Sequence, residues 1–280
     1  MCWREPPWSP RRAVLRSGNE VAAMSRFRVL QFNMQFGQIW DETYPDRAPI
    51  RLADSIAEIR RHHADVVLLQ EVEQALPGGG QVQPPPNFTS LQRALADYHG
   101  FFAYPKADAR ELPFGIGLAI FSRTALRDTM ELALPSPPIE FEFLGKKLTP
   151  TDRLLIGATT TLAGSEVRLF NTHLLAFFML GSSSTANPFQ RNLVAEQLAT
   201  ARGPTILTGD FNVSRHHTLV AQFAEHGFTT VQQTEVTWRR RPYVLDHIFH
   251  NGDLRCVGYE VVQTLASDHH AIIADFEFAR

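Results

Sequence analysis

Thr205-Ile-Leu-Thr-Gly-Asp-Phe-Asn212 is a short apolar run that ends in glycine, aspartate and asparagine. A bounded run of β-branched and aliphatic residues suits a buried strand, with the polar residues standing at its end. The same pattern recurs along the chain, in Val29-Leu-Gln-Phe-Asn33, Val66-Val-Leu-Leu-Gln70-Glu71, Val167-Arg-Leu-Phe-Asn171-Thr-His173 and Val244-Leu-Asp246-His247-Ile-Phe249. A sixth cluster, Ser267-Asp268-His269-His270, precedes a strand-like run instead of following one. Strands of a sheet lie side by side, so polar groups at their ends converge on one rim. A single Asn or Asp after an apolar run is ordinarily a turn residue or a cap. Six clusters carrying Asn, Glu, Asp and His exceed what turn chemistry needs.

Outward from these runs, the chain alternates strands and helices. Residues 27–32, 65–70, 116–122, 153–161, 166–172, 205–208, 244–249 and 271–276 read as strands. Residues 50–61 read as a helix, with Leu52, Ala53, Ile56 and Ile59 at three- and four-residue steps. Residues 91–98, 188–200 and 219–226 read as further helices, the last stopped by Gly227. His62 and His63 close the first helix and are expected to be solvated there. The Gly/Pro-rich segment 76–87 reads as an exposed loop, and its Gly78–Gly80 run lacks the Lys-Ser/Thr ending of a phosphate-binding loop.

The 280 residues carry 27 Lys and Arg against 29 Asp and Glu, which excludes a protein that coats nucleic acid by bulk positive charge. Two cysteines, Cys2 and Cys256, support neither a disulfide framework nor a cysteine zinc site. No run of apolar residues reaches membrane-spanning length. Residues 1–23 crowd prolines and arginines with no periodicity, so either Met24 is the natural start or they are a flexible extension, with an arginine-rich targeting peptide as the alternative. Neither a signal peptide nor a span is read, so a cytoplasmic location is expected. One domain is expected over residues 24–280, because the polar clusters come from both halves.

Oxygen-rich clusters with histidine suit hydrolysis of a phosphoester with a hard metal ion. Magnesium takes oxygen ligands and is commonly held by one or two carboxylates. Such an ion polarises phosphoryl oxygens and stabilises charge on the leaving oxygen. A carboxylate can orient water, and a histidine can bond the phosphate or return a proton. Zinc is disfavoured, since no HxxxH or HExxH pair is present.

The motifs in their order resemble the endonuclease/exonuclease/phosphatase superfamily. They are the strand ending in Asn33, Gln70-Glu71, the Gly117-to-Arg123 strand, Asn171-Thr-His173, Gly209-Asp-Phe-Asn212, Asp246 and Ser267-Asp-His269. Its members include pancreatic-type deoxyribonucleases, exonuclease III-like repair enzymes, neutral sphingomyelinases and inositol polyphosphate 5-phosphatases. The resemblance implies a four-layer α/β sandwich of two packed mixed sheets flanked by helices, with the site at one end. It implies a magnesium ion, which manganese can replace, near Asn33, Glu71 and Asp268. It assigns Asp210 and Asn212 to positioning water and phosphate, His173 to the leaving group or phosphate, and His269 to the scissile phosphate. Asp246 is implied as the partner of His269. Which of Asp210 and His269 is the formal base is left open. Asn171 is expected at the substrate or bracing the site.

Two segments bear on substrate. Leu174-Leu-Ala-Phe-Phe-Met-Leu180 follows His173 and would serve either as core or as an apolar lip. Trp238-Arg239-Arg240-Arg241-Pro-Tyr243 precedes Asp246, and its arginines are expected to bind substrate phosphate. On this reading the chain is a magnesium-dependent phosphodiesterase with nucleic acid as the favoured substrate and no obligate protein partner. A lipid or small-molecule phosphodiesterase of the sphingomyelinase kind is the alternative, and a non-catalytic module with the same fold ranks below both. His247 and His270 each follow a site residue and should point to the opposite face of their strands. His216 and His217 are expected on a loop surface.

Overall fold

The computed structural model describes residues 26–279, so the extension expected over residues 1–23 lies outside the described residues. Six strands form one mixed sheet: β1 (Arg26–Asn33), β2 (Val66–Gln74), β3 (His99–Ala103), β4 (Gly115–Ser122), β13 (Leu254–Val262) and β14 (Ala271–Phe278). Their order is β13-β14-β1-β2-β4-β3. A second mixed sheet holds β5 (Arg127–Leu134), β8 (Arg153–Leu162), β9 (Ser165–His173), β10 (Thr205–Asp210), β11 (Phe228–Thr230) and β12 (Asp246–Asn251), in the order β11-β12-β10-β9-β8-β5. β6 (Phe141–Phe143) and β7 (Lys146–Leu148) make a separate hairpin.

The sheets pack face to face over Val29, Leu68, Ile120, Ile156, Leu169, Ile206, Ile248 and Ile272. Side chains alternate along a strand. The next residues therefore face outward: Leu30, Val67, Leu69 and Phe121 pack under helices α1 (Leu52–Arg61) and α2 (Pro86–Ala94). On the other side Leu155, Phe170, Leu207 and Phe249 pack under α3 (Phe189–Thr200) and α4 (His217–Ala224). Burial on both faces explains why the central strands read as continuous apolar runs. The result is the four-layer α/β sandwich that the motifs implied. Among the described residues no helix is long and apolar enough to cross a membrane.

Several local readings need correction. The second helix runs over Pro86–Ala94, not 91–98, because prolines open it and the Glu73 carboxylate accepts the Phe88 N–H in its first turn at 2.8 Å. Asp246 opens β12, and Val244 and Leu245 approach it as loop. β3, β5, β11, β13 and the hairpin were not anticipated; β5 and β13 are sheet edges with mostly exposed or half-buried side chains. His62 is not solvated: its Nε2 lies 2.8 Å from the buried Glu58 carboxylate.

Candidate active site

The inward faces change character toward one end of the sandwich. Above Val29 stand Gln31 and Asn33; above Leu68 stands Gln70; above Leu169 stand Asn171 and His173; above Ile206 stand Thr208 and Asp210. On the antiparallel β12, Asp246 stands above Ile248. Period-two alternation thus builds two polar tiers over an apolar floor, half from each sheet.

The lower tier is an uncharged amide network. Gln31 Nε2 donates to Gln70 Oε1 at 2.7 Å and to Asp246 Oδ1 at 2.9 Å. Gln70 Nε2 donates to Asn171 Oδ1 at 2.6 Å, and Thr208 Oγ1 donates to the same oxygen at 3.2 Å. Asn171 Nδ2 donates to the carbonyls of Leu69 and Ala119 at 2.9 and 3.1 Å. Asn171 is fully buried with both ends of its amide bonded, so it ties the sheets together beneath the site and has no free group to offer substrate. Gln31 escaped the sequence reading; its signal was a lone amide inside an otherwise apolar strand.

The upper tier carries charge. A register shift in the β2–β4 pairing between Gln70 and Glu73 breaks the alternation, and Glu71 takes a positive φ of 50°. This bulge turns Glu71 into the cleft. Its carboxylate comes so close to Gly115 that a Cβ there would stand 2.1 Å from Oε2. Asn33 Nδ2 donates to both Glu71 Oε1 and Asp210 Oδ2 at 3.0 Å, while Asn33 Oδ1 accepts the Gln35 N–H at 3.1 Å. His173 Nε2 stands 3.8 Å from Glu71 and 3.6 Å from Asp210. His269 Nδ1 meets Asp246 Oδ2 at 2.7 Å, and its Nε2 lies 3.6 Å from Asp210 Oδ2. Asn212, also at a positive φ of 50°, donates its backbone N–H to Asp210 Oδ1 at 3.0 Å and its amide to the Leu174 carbonyl at 3.1 Å.

The electrostatics follow from this crowding. Burial, with a contribution from Asp268, pushes the Glu71 carboxyl up to about 7. Burial and the neighbouring Asp246 push Asp210 up as well. The two histidines diverge. Burial, Arg153 and His269 hold His173 well below its ordinary value, hence neutral. Burial opposes charge on His269 too, but Asp246 and Asp210 outweigh it and hold the ring cationic. The two imidazoles of one cleft are thus shifted in opposite directions.

The remaining expected residues take other places. Asp268 Oδ2 receives Trp238 Nε1 at 3.2 Å and Arg240 Nε at 2.7 Å, so one of its oxygens is committed to protein donors. Arg239 donates Nε and Nη2 to the Thr264 carbonyl at 3.0 and 2.6 Å. Arg240 also reaches Asp46 at 2.6 Å and lies over the Trp40 ring at 5.6 Å. Two of the three arginines are therefore engaged within the rim, and Arg241 stands exposed. In the 174–180 segment, Leu174, Leu175 and Phe177 are core, whereas Phe178 packs against Trp238 and Tyr243. His247 points away from the cleft into the Phe211 and Phe249 cluster, and burial holds its pKa down to about 3.

The carboxylates of Glu71 and Asp210 and the imidazole of His173 present ligand atoms within 4.8 Å of one another. A half-buried and a buried acid facing each other with only one amide between them suit a divalent cation and its oxygen-preferring chemistry. Water or a phosphate oxygen bound here would lie within reach of both the Asp210 carboxyl and the His269 imidazole.

The chain as a whole is similar to known proteins. The family model described as the Endonuclease/Exonuclease/phosphatase family matches residues 30–269. A UPF0294 protein of Yersinia pseudotuberculosis is 37% identical over 92 residues, which are 31% of this chain and 35% of that protein. The match thus spans about a third of that curated relative's length. Among solved structures, an endonuclease/exonuclease/phosphatase from Beutenbergia cavernae superposes with a TM-score of 0.67 at 22% identity, covering 91% of this chain and 72% of that one. A mannosyl-6-phosphatase from Bacteroides thetaiotaomicron gives a TM-score of 0.63 at 18% identity, covering 90% of this chain and 100% of that one.

Proposed function

Because the chain belongs to the endonuclease/exonuclease/phosphatase family, whose members hydrolyse phosphoester bonds, we propose that it is a magnesium-dependent phosphodiesterase acting by direct attack of water on phosphorus. The observation that carries this reading is the convergence of Glu71, His173 and Asp210 with the Asp246–His269 pair in one cleft, His269 Nδ1 standing 2.7 Å from Asp246 and its Nε2 3.6 Å from Asp210. Glu71 and Asp210 would hold the ion, with Asn33 fixing both carboxylates through its amide. When bound, the ion supplies Lewis-acid polarisation of the phosphoryl group.

The chain's own residues then divide the remaining work. His269 Nε2 donates to a phosphoryl oxygen and neutralises charge that grows as phosphorus becomes five-coordinate. Asp246 keeps that ring protonated and fixes its orientation through Nδ1. The neutral His173 offers a nitrogen beside Asp210 for hydrogen bonding at the reacting oxygens. Water adds one oxygen to phosphorus and gives up a proton to the acceptor groups, while the leaving oxygen takes a proton as its bond breaks, so the balance closes within the cleft. Asp268 acts on Glu71 through its charge, with one oxygen kept on Trp238 and Arg240. The arginine run lends nucleic acid less support than its sequence suggested, since Arg239 and Arg240 already serve internal acceptors.

The test is turnover of a soluble phosphodiester with magnesium or with EDTA, in the wild type and in Glu71→Gln. Metal-dependent hydrolysis lost in the variant is expected. Equal turnover in EDTA would refute the assignment, and equal turnover in the variant would remove Glu71 from it.

A further inference from the structure

The loop that carries Asp268 and His269 has almost no regular backbone structure. It runs over residues 263–270, between β13 and β14, and its ladder contact is a bridge from His269 to Trp238. Most of it is buried, and buried backbone groups need partners. Other elements and the loop's own side chains supply them. Gln35 Oε1 accepts the Asp268 N–H at 3.3 Å, and the Thr237 carbonyl accepts the His270 N–H at 2.8 Å. Trp40 N donates to the Leu265 carbonyl at 2.8 Å, and the His269 N–H turns back onto Ser267 Oγ at 3.1 Å. Helix α1 reaches the loop twice. Ser55 Oγ donates to the Ala266 carbonyl at 3.3 Å, and Glu58 Oε2 accepts the Thr264 hydroxyl at 2.9 Å.

These bonds concentrate on Thr264. Its buried hydroxyl donates to Glu58 and accepts the Ala266 N–H at 3.1 Å. Its carbonyl takes both Nε and Nη2 of Arg239, at 3.0 and 2.6 Å. The backbone N–H of the same Arg239 donates to the Asp268 carbonyl at 2.9 Å. Thr264, Arg239 and Asp268 therefore close a ring of bonds, and Glu58 ties that ring to the helix. His269 follows directly after the ring, with Nδ1 2.7 Å from Asp246 of the other sheet.

Glu58 is an unusual residue for its place. α1 buries Ser55, Glu58 and Ile59, at the three- and four-residue steps that a surface helix ordinarily fills with apolar side chains. Taking a carboxylate out of water is costly unless it is paired and hydrogen-bonded. Arg61 Nη2 at 2.7 Å and His62 Nε2 at 2.8 Å both meet Oε1. The last turn of the helix thus answers the charge, and Oε2 is left for Thr264. For stability alone, an apolar side chain of similar volume would serve that face as well or better. What it could not do is accept the Thr264 hydroxyl. The carboxylate is explained by the loop it holds, not by the helix that bears it.

We propose that Glu58 and Thr264 are positioning residues for the site: their bond sets the register of the 263–270 loop, and through it the placing of His269 against Asp246 and Asp210. Both act through the loop backbone and not on substrate. A loop without ladder bonds to either neighbour has several backbone paths open to it, and the clamp on Thr264 selects one. Arg239 belongs to the same clamp, which gives the first arginine of the 239–241 run a role inside the protein. The effect on turnover rests on the phosphodiesterase reading; the hold on the loop does not.

The test compares Thr264→Val, which keeps the side-chain shape and removes the hydroxyl, with Thr264→Ser, which keeps the hydroxyl. The first measurement is hydrogen exchange of the full chain in EDTA, where no turnover is needed. In Thr264→Val, peptides over residues 263–270 are expected to exchange roughly tenfold faster, with β2 and β10 unchanged, while Thr264→Ser matches the wild type. The second is steady-state hydrolysis of bis(para-nitrophenyl) phosphate with magnesium. Thr264→Val is expected to lower kcat roughly 10- to 100-fold, with KM within about twofold and the circular dichroism unchanged, since a misplacement of about 1 Å is enough for a loss of that size. Thr264→Ser should restore kcat, and Glu58→Gln, still an acceptor but uncharged, should fall between. Combining Thr264→Val with Glu58→Leu should cost no more than the larger of the two single losses, because both cut the same bond. The proposal is overturned if exchange over residues 263–270 is unchanged in Thr264→Val, if its kcat stays within about twofold of wild type, or if Thr264→Ser is impaired as much as Thr264→Val. A wild type that hydrolyses no phosphodiester, together with a loop freed in Thr264→Val, would instead sink the hydrolytic reading and leave the clamp in place.

Discussion

Replacing Asp246 by asparagine removes one negative charge from a fully buried carboxylate that lies 2.7 Å from His269 Nδ1. The change is nearly isosteric. Its oxygen can still accept from Gln31 Nε2, and its backbone N–H still reaches Thr237 Oγ1 at 3.0 Å. What it cannot do is keep His269 cationic, because an amide NH2 then faces an imidazole N–H, and the ring relieves the clash by losing a proton. A hydrogen bond to a charged group contributes about 1.5 to 3 kcal/mol. At 1.36 kcal/mol per unit of pKa, that loss lowers the His269 pKa by about 1 to 2 units. If the cationic ring donates to the phosphate, the same energy is withdrawn from the transition state, and kcat falls roughly 10- to 100-fold. The alkaline limb of the kcat/KM profile should move to lower pH by about 1 to 2 units, because deprotonation of His269 ends activity sooner. The assay is the full pH–rate profile on a soluble phosphodiester, with circular dichroism as the check on folding. An alkaline limb that stays in place, or kcat within about twofold of wild type, would refute the donor role and point to a ring that works neutral.

Three further predictions concern the scaffold. Asn171→Ala strands Gln70 Nε2, Thr208 Oγ1 and two carbonyls, and should cost about 2 to 4 kcal/mol in urea denaturation; an unchanged midpoint would show that the brace is dispensable. Glu73, buried and raised to about 7, binds a proton more tightly folded than unfolded, so its contribution to stability is complete below about 4.5 and lost as pH rises through about 7. Glu73→Gln should therefore gain of order 1 to 3 kcal/mol over wild type at pH 8 and little at pH 4, and a gain independent of pH would contradict this. Arg240→Met removes the bond from Asp46 to Asp268, and should raise the rate of limited proteolysis within residues 38–50 while lowering melting temperature only slightly. An unchanged cleavage rate would show that Arg240 does not hold that loop.

What could be read in the sequence was set by burial. β1, β2, β4 and β10 are buried on both faces, so their apolar runs announced them, and the polar residues that ended them were conspicuous. β5 and β13 lie at sheet edges with most of their side chains exposed or half-buried, and sequences such as Arg-Asp-Thr-Met-Glu carry no strong period. Tertiary pairing makes them strands. That Asn33, Glu71, His173, Asp210, Asp246 and His269 gather at one end of the sheets was legible, but their bonds were not. Nothing local shows that Asn33 spans two carboxylates from different sheets, or that Arg239 and Arg240 are spent on Thr264, Asp268 and Asp46. Those partners lie tens to hundreds of residues away, and only the closed sandwich brings them together. The bulge at Glu71 was equally invisible, since strict alternation would have turned that residue outward, away from Gln70.

The site is in effect an inter-sheet joint. Asn33, Glu71 and His269 come from or border the first sheet; His173, Asp210 and Asp246 come from the second. The bonds that define the chemistry, Asn33 to Asp210 and His269 to Asp246, both cross the gap between sheets. The distance across that gap is fixed below them, first by the amide tier and then by the apolar floor of Leu68, Ile156, Leu169 and Ile206. Interiors are close-packed and transmit strain, so a shift of the sheets by a few tenths of an ångström moves donor and acceptor against each other. Uncharged amides in the middle tier serve this arrangement well. They hold the sheets in register through many short bonds, yet place no full charge beside the carboxylates of the cleft or the Asp246–His269 pair.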